Sequence, residues 1–299
     1  MSNATSLFDA ASTATLSTPR PTEGVLSVLL QARDGRTVLR ECYAQAPLQL
    51  FRPVYPDDTG TAYLYVLNPC GGIVGGDTYR LTVTVGAGAR GYLTTQAATL
   101  LYAAPTRPAR QHITLTLERD AVLSFMPAQT IPFAHAAFHQ DIVVRLGPGA
   151  TVILGEILAP GRLARGEAFA YDTYTARLRV EDAHGDVLLL DHTRLHPQRQ
   201  DCSSLGLFEG SYTYLGTLYA LRQGTACDPA LAQRLHAHLA DRPGLLGSTT
   251  LLACGGLAVR LLAKDHTAAR EALHAVWALL HDILVLPAIE GVMHASHTT

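Results

Sequence analysis

Between residue 24 and about residue 200, short runs of alternating apolar and polar residues are closed by Gly, Asp or Pro turns. Such a period of two predicts strands with one buried face. They read as Val25–Leu30, Thr37–Tyr43, Tyr63–Leu67, Tyr79–Val85, His112–Leu117, Asp141–Leu146, Thr151–Ile157 and Val187–Asp191. Three stretches repeat one unit: LTVTVGAGARGYLTT (81–95), ITLTLERDAVLSFMP (113–127) and IVVRLGPGATVILGE (142–156). Each is a strand, a tight turn, an alanine and a second strand. The matching alanines, Ala89, Ala121 and Ala150, recur about every 30 residues, which predicts stacked β-units sharing one core. A β-sandwich with repetitive turns is the alternative. A looser fourth copy is predicted over Leu178–Asp191, turning at His184-Gly185.

Beyond residue 200 the pattern changes to a helical one. Asp228-Pro229 supplies an N-cap and a proline at the first helical position, leading into Ala230–Ala240. Over Thr267–Leu286, Ala269, Leu273, Val276, Trp277, Leu280, Ile283 and Leu284 form an apolar stripe. Trp277 on that stripe suits either core packing or contact with a partner. Thr249–Leu262 fits either one more buried strand or a Gly-containing helix. The predicted fold is mainly β: stacked β-sheet layers, solenoid- or sandwich-like, with a smaller α-helical C-terminal portion. Residues 1–22 read as a flexible tail and 23–200 as the β-layered core. Residues 201–299 read as the helical portion packed on that core, with room for one more strand.

Composition narrows the function. A hydrophobic fraction of 48% against 16% charged describes a well-packed globular chain. A net charge of -2 supplies no basic field for nucleic acid or an anionic membrane. The apolar window Leu273–Leu286 is broken by His281 and Asp282, short of the roughly 20 residues a membrane span needs. No basic-then-apolar leader opens the sequence. Five scattered cysteines without a CxxC pair point to a reducing, cytoplasmic setting.

Several polar residues fall in phase with apolar strand faces. Asp77 shares a face with Tyr79, Leu81, Val83 and Val85; Glu156 with Val152, Leu154 and Leu158; Gln140 with Phe138, Ile142 and Val144. An inward carboxylate is costly unless paired, hydrogen-bonded or metal-bound. Glu156, Arg162, Arg165 and Glu167 form E-x5-R-x2-R-G-E, fit for a buried ion-pair network or a wet polar channel. Arg162 or Arg165 is the expected partner for the inward charges. The loop Asn68–Asp77 holds Gly71, Gly72, Gly75 and Gly76; with no Gly-Lys-Ser/Thr and no following helix, it is a specialised structural turn rather than a phosphate cradle. The 13 histidines include close pairs such as His135/His139 and His236/His238, but no H-E-x-x-H or Cys/His zinc spacing occurs, so no stable metal site is expected. The serine-nucleophile pattern G-x-S-x-G is absent as well.

Taken together, NPCGGIVGGD (68–77), GARGYLTTQAATLLY (88–102), MPAQTIPF (126–133) and GEILAPGRLARGE (155–167) resemble the urease accessory protein family UreD, also called UreH. Weaker similarity spans residues 24 to 290. The resemblance implies stacked strand layers with few helices and a role without catalysis: binding UreF, which brings the nickel-carrying GTPase UreG, and docking on apo-urease subunits as a hetero-oligomer. It also implies transient Ni²⁺ passing an internal tunnel lined by Asp77, Thr94, Thr95, Glu156, Arg162 and Glu167, with no stably bound cofactor. The sequence departs from the family pattern in three places. Cys70 replaces a usual proline and adds a candidate transient ligand, Leu100 replaces a usual lysine, and the tail PAIEGVMHASHTT lacks the family's ending. Other readings are a related accessory protein for a different nickel enzyme and a β-solenoid carbohydrate-active enzyme.

Overall fold

The computed structural model describes residues 21–200, 208 and 210–284. Chain segments coil rather than fold back in hairpins. Glu23–Arg33, Thr78–Val85, Ala109–Leu117, Ala137–Leu146 and Thr173–Asp182 pair side by side in parallel. Ala62–Leu67, Arg90–Thr95, Val122–Phe125 and Thr151–Leu158 form a second parallel series. A short third face is made by Gly72–Ile73, Thr99–Leu101 and Thr130–Pro132. Each repeat therefore contributes one strand to each of two sheets and returns along the third face. This parallel pairing makes the core a β-solenoid, the first of the two architectures predicted.

The repeated alanine marks the corner of each coil. Gly88, Asp120 and Gly149, each just before that alanine, adopt left-handed backbone at φ 67°, 54° and 70°. The following amide donates three residues back in all three turns: Ala89 to Gly86, Ala121 to Glu118 and Ala150 to Gly147. All three alanines are 0% exposed and belong to the core between the sheets. Inside, equivalent residues of successive coils stack in rows. Val83, Leu115, Val144 and Val180 form one row in the first sheet, and Leu64, Leu93, Phe125 and Leu154 one in the second. All are buried, and their burial is the main stabilising term.

Antiparallel strands finish the stack. In the first sheet Arg36–Gln45 flanks one edge and Val187–Leu195 the other. In the second, Tyr214–Arg222, Leu257–Ala263 and Leu245–Leu251 extend the parallel series. Two expectations change here. Leu178–Asp191 is a hairpin turning at Gly185, not a fourth coil, since its two strands pair with each other. Thr249–Leu262 belongs to two strands, joined through the turn at Gly255.

The helices α1 (Pro229–Ala240) and α2 (His266–Leu284) cover the outer face of the second sheet. Asp228 caps α1, its carboxylate accepting from the Ala230 amide at 2.9 Å. In α2 the stripe residues Ala269, Leu273, Val276, Trp277 and Leu280 pack inward, whereas Ile283 is 43% exposed. Trp277 is 9% exposed and donates its indole N–H to Ser124 Oγ at 2.9 Å, so it serves the core rather than a free partner surface. Among the described residues no helix is long and apolar enough to cross a membrane. Residues 1–20 of the predicted tail and the C-terminal segment from residue 285 lie outside the described residues.

Candidate functional site

Polar rungs interrupt the apolar rows and run along the solenoid axis. In the first sheet Tyr79, Gln111, Gln140, Ala176 and Thr193 lie in register across five adjacent strands. In the second, Glu156, Thr217, Arg260 and Ser248 do the same. Between these rungs lies a succession of cavities. An open cleft of about 550 Å³, lined in part by Thr193, Thr217 and Arg260, leads it. An inner cavity of about 50 Å³ follows, with Glu156, Gln140, Tyr174, Asp191, Thr193 and Thr217 in its wall. A third, also about 50 Å³, is lined by Glu156, Gln140, Gln111 and Thr95. The fourth, about 80 Å³, lies against Gln111, Thr95, Tyr79 and the Asn68–Gly72 loop. Neighbouring cavities thus share lining residues. A water needs roughly 10–15 Å³ measured this way, so each has room for several.

Glu156 stands where the second and third cavities meet. Its carboxylate accepts a hydrogen bond from the Tyr174 hydroxyl, which reaches across from the opposite sheet. Burial pushes the Glu156 carboxyl above the usual carboxylate range; the Tyr174 bond opposes this and the negative charge of Asp191 adds to it. Tyr174 is likewise held well above the ordinary phenol value, by burial first and by Glu156 second. Gln140 donates to Gln111 Oε1 at 3.2 Å, while its own buried Oε1 has no protein partner. Gln140 is 8% exposed, in agreement with its phase on the strand.

The other expected residues separate by location. Thr95 lines two of the cavities and accepts from the Ala128 amide at 3.0 Å. Its neighbour Thr94 points to the other side of the strand and donates to the Met126 carbonyl at 2.6 Å. Asp77 is buried, but it accepts from the Thr22 amide at 2.7 Å and the Val74 amide at 3.2 Å, which pins the glycine loop. The arginines do not compensate Asp77 or Glu156, contrary to the sequence expectation. Arg162 instead forms a two-pronged pair with Glu167, stacks 3.9 Å from the Phe133 ring centre, and leaves Arg165 exposed. Glu167 also accepts from the Ala134 amide at 3.1 Å. This clamp ties the third face together, and neither it nor Asp77 nor Thr94 lines the four cavities.

In the glycine loop, Gly71 and Gly76 take left-handed φ of 79° and 92°. Gly72 and Gly75 allow close packing: a Cβ at either would lie 2.4 Å from a backbone atom, Leu100 O and Ala104 Cα respectively. Cys70 is exposed and is not among the residues lining the adjoining cavity. Apart from His192 at the open cleft, the lining donors are oxygen atoms: the Glu156 and Asp191 carboxylates, side-chain amides, hydroxyls and phenols. Among the described residues no three His, Cys, Asp or Glu side chains converge to hold a metal. Sequence reading missed Gln111, Tyr174, Asp191, Thr217 and Arg260. Counting by two from Ile113 places Gln111 on the inner face; the others depend on pairings between distant strands.

The family model described as UreD urease accessory protein matches residues 22–290. The chain belongs to the UreD family. The relatives include proteins named Urease accessory protein UreD. That of Actinomyces naeslundii is 36% identical over 252 residues, covering 84% of this chain and 91% of its own. That of Haloarcula marismortui is 31% identical over 260 residues, 85% of each chain. That of Cenarchaeum symbiosum is 30% identical over 243 residues, 80% of this chain and 84% of its own. The UreD match thus spans both the coiled core and the helices that cover it.

Proposed function

We propose that this chain is a non-catalytic urease maturation protein that conducts Ni²⁺ toward apo-urease, taking it from a UreF-bound UreG. The supporting observation is the file of cavities along the solenoid axis, bordered by in-register polar residues inside an otherwise apolar core. Nickel is the cargo, and oxygen donors suit transit. Neutral oxygens and two carboxylates, of which Asp191 is already engaged by Arg260, hold Ni²⁺ less firmly than a cluster of imidazoles or thiolates would, so the ion exchanges rather than lodges. Thr95, Gln111, Gln140 and Glu156 supply successive contacts, with the carboxyl group of Glu156 midway. A glycosidase would need two carboxylates facing each other across an open cleft, roughly 5–10 Å apart; the open cleft has none in its lining.

The test is urease isolated from a strain lacking this gene and complemented with wild type, Glu156→Leu or Gln140→Leu. Wild type should restore nickel content and activity, while the variants should leave urease nickel-poor although the protein accumulates normally. Full nickel occupancy with both variants would overturn the conduit. Full occupancy in the uncomplemented strain would overturn the urease role itself.

A further inference from the structure

The open cleft carries a second message. It lies where the solenoid stops, between two edge strands, Val187–Leu195 and Leu245–Leu251, each paired on one side only among the described residues. Its floor is apolar, including Leu195 and Leu262, and Leu246 at its rim is 52% exposed. Its chargeable lining residues are His192, Arg194 and Arg260, with no carboxylate among them; His192 and Arg194 alternate with Thr193 and Leu195 and so flank the strand edge on its outer side, while Arg260 is level with Thr217 on the inner side. Arg194 donates to the His196 ring nitrogen at 2.8 Å. Among the described residues no carboxylate pairs with the Arg194 guanidinium. Arg260 is bonded to Asp191, which lines the adjoining inner cavity beside Glu156. The Arg260–Asp191 pair is therefore placed between the outer cleft and the interior, with the Arg260 side chain still 60% exposed.

We propose that this cleft docks an extended acidic segment of a partner protein, whose carboxylates take Arg194 and compete with Asp191 for Arg260. An exposed strand edge supplies backbone donors and acceptors to an added strand. Guanidinium groups bind carboxylates through paired, charge-assisted hydrogen bonds. Each carboxylate that arrives meets an arginine that is either uncompensated or shared. Drawing Arg260 outward would leave Asp191 facing the inner cavity with its charge exposed. That consequence rests on the conduit reading; the docking itself does not.

A fluorescein-labelled deca-glutamate peptide is the probe, titrated into the full-length chain and followed by anisotropy. Wild type should bind it, deca-lysine should not bind, and added salt should weaken the complex. Arg194→Glu and Arg260→Ala should each weaken binding at least about tenfold, and Arg194→Glu, which breaks no ion pair, controls for folding. Asp191→Asn, which frees Arg260, should tighten binding severalfold without nickel present. Equal affinity for wild type and both arginine variants would overturn the docking site. Unchanged affinity in Asp191→Asn would overturn the competition. A dimer of the free chain that Arg194→Glu dissolves would assign the cleft to self-association and overturn the acidic partner.

Discussion

Replacing Glu156 with Gln separates the charge of this residue from its shape. The amide keeps the side-chain volume and an oxygen to accept from Tyr174, but it cannot titrate. In the wild type the folded carboxyl is raised above its ordinary value, chiefly by burial. Between the ordinary and the raised value the folded chain therefore holds a proton that the unfolded chain has released. Stability must fall as pH rises through that window, with a slope of up to about 1.4 kcal/mol per pH unit for one proton. Below the ordinary carboxylate value the penalty is absent; above the raised value it is fully present. Glu156→Gln should match wild type in acid and become more stable toward neutral pH, with each 1 kcal/mol of gain worth roughly 2 °C in melting temperature. Urea titrations at a series of pH values measure this directly. The single tryptophan, Trp277, reports unfolding by its fluorescence. Parallel stability curves for wild type and variant from about pH 3, below the ordinary carboxylate value of about 4.3, to about pH 8 would refute the burial argument.

Three more outcomes follow from the same geometry. Thr95→Val, on the cavity side, should slow urease activation, whereas Thr94→Val, whose hydroxyl serves the Met126 carbonyl, should cost about 1 kcal/mol of stability and leave transfer rates intact, as denaturation and nickel-loading assays would separate. Gly149→Ala should destabilise by about 1–2 kcal/mol, since its φ is 70° and a Cβ would meet Asp120 Oδ1 at 2.2 Å; Asp120→Gly, at a left-handed φ of 54°, should be tolerated, and thermal melts compare the two. Ser124→Ala and Trp277→Phe should show coupling of about 1 kcal/mol in a double-mutant cycle, because either change alone strands its buried partner.

The coil was legible in the sequence because its causes are local. Alternation fixes which face of each strand is apolar, and the Gly/Asp-Ala corners repeat the same turn chemistry at 88–89, 120–121 and 149–150. Those features also place Asp77, Gln140 and Glu156 on inner faces. Local pattern does not say what an inward polar group meets. Arg162, a few residues from Glu156, turned to Glu167 and Phe133, whereas Tyr174 came from the opposite sheet to bind Glu156. Likewise Leu178–Asp191 has the strand-turn-strand look of a coil and yet closed as a hairpin. Register between coils is a long-range property, set when whole rows of apolar side chains pack at once. Only that register brought Gln111, Gln140 and Thr193 from three separate strands onto one rung and set Arg260 against Asp191. The sequence alone determined the layers and their inward faces; the tertiary structure decided that the polar exceptions line up along the axis.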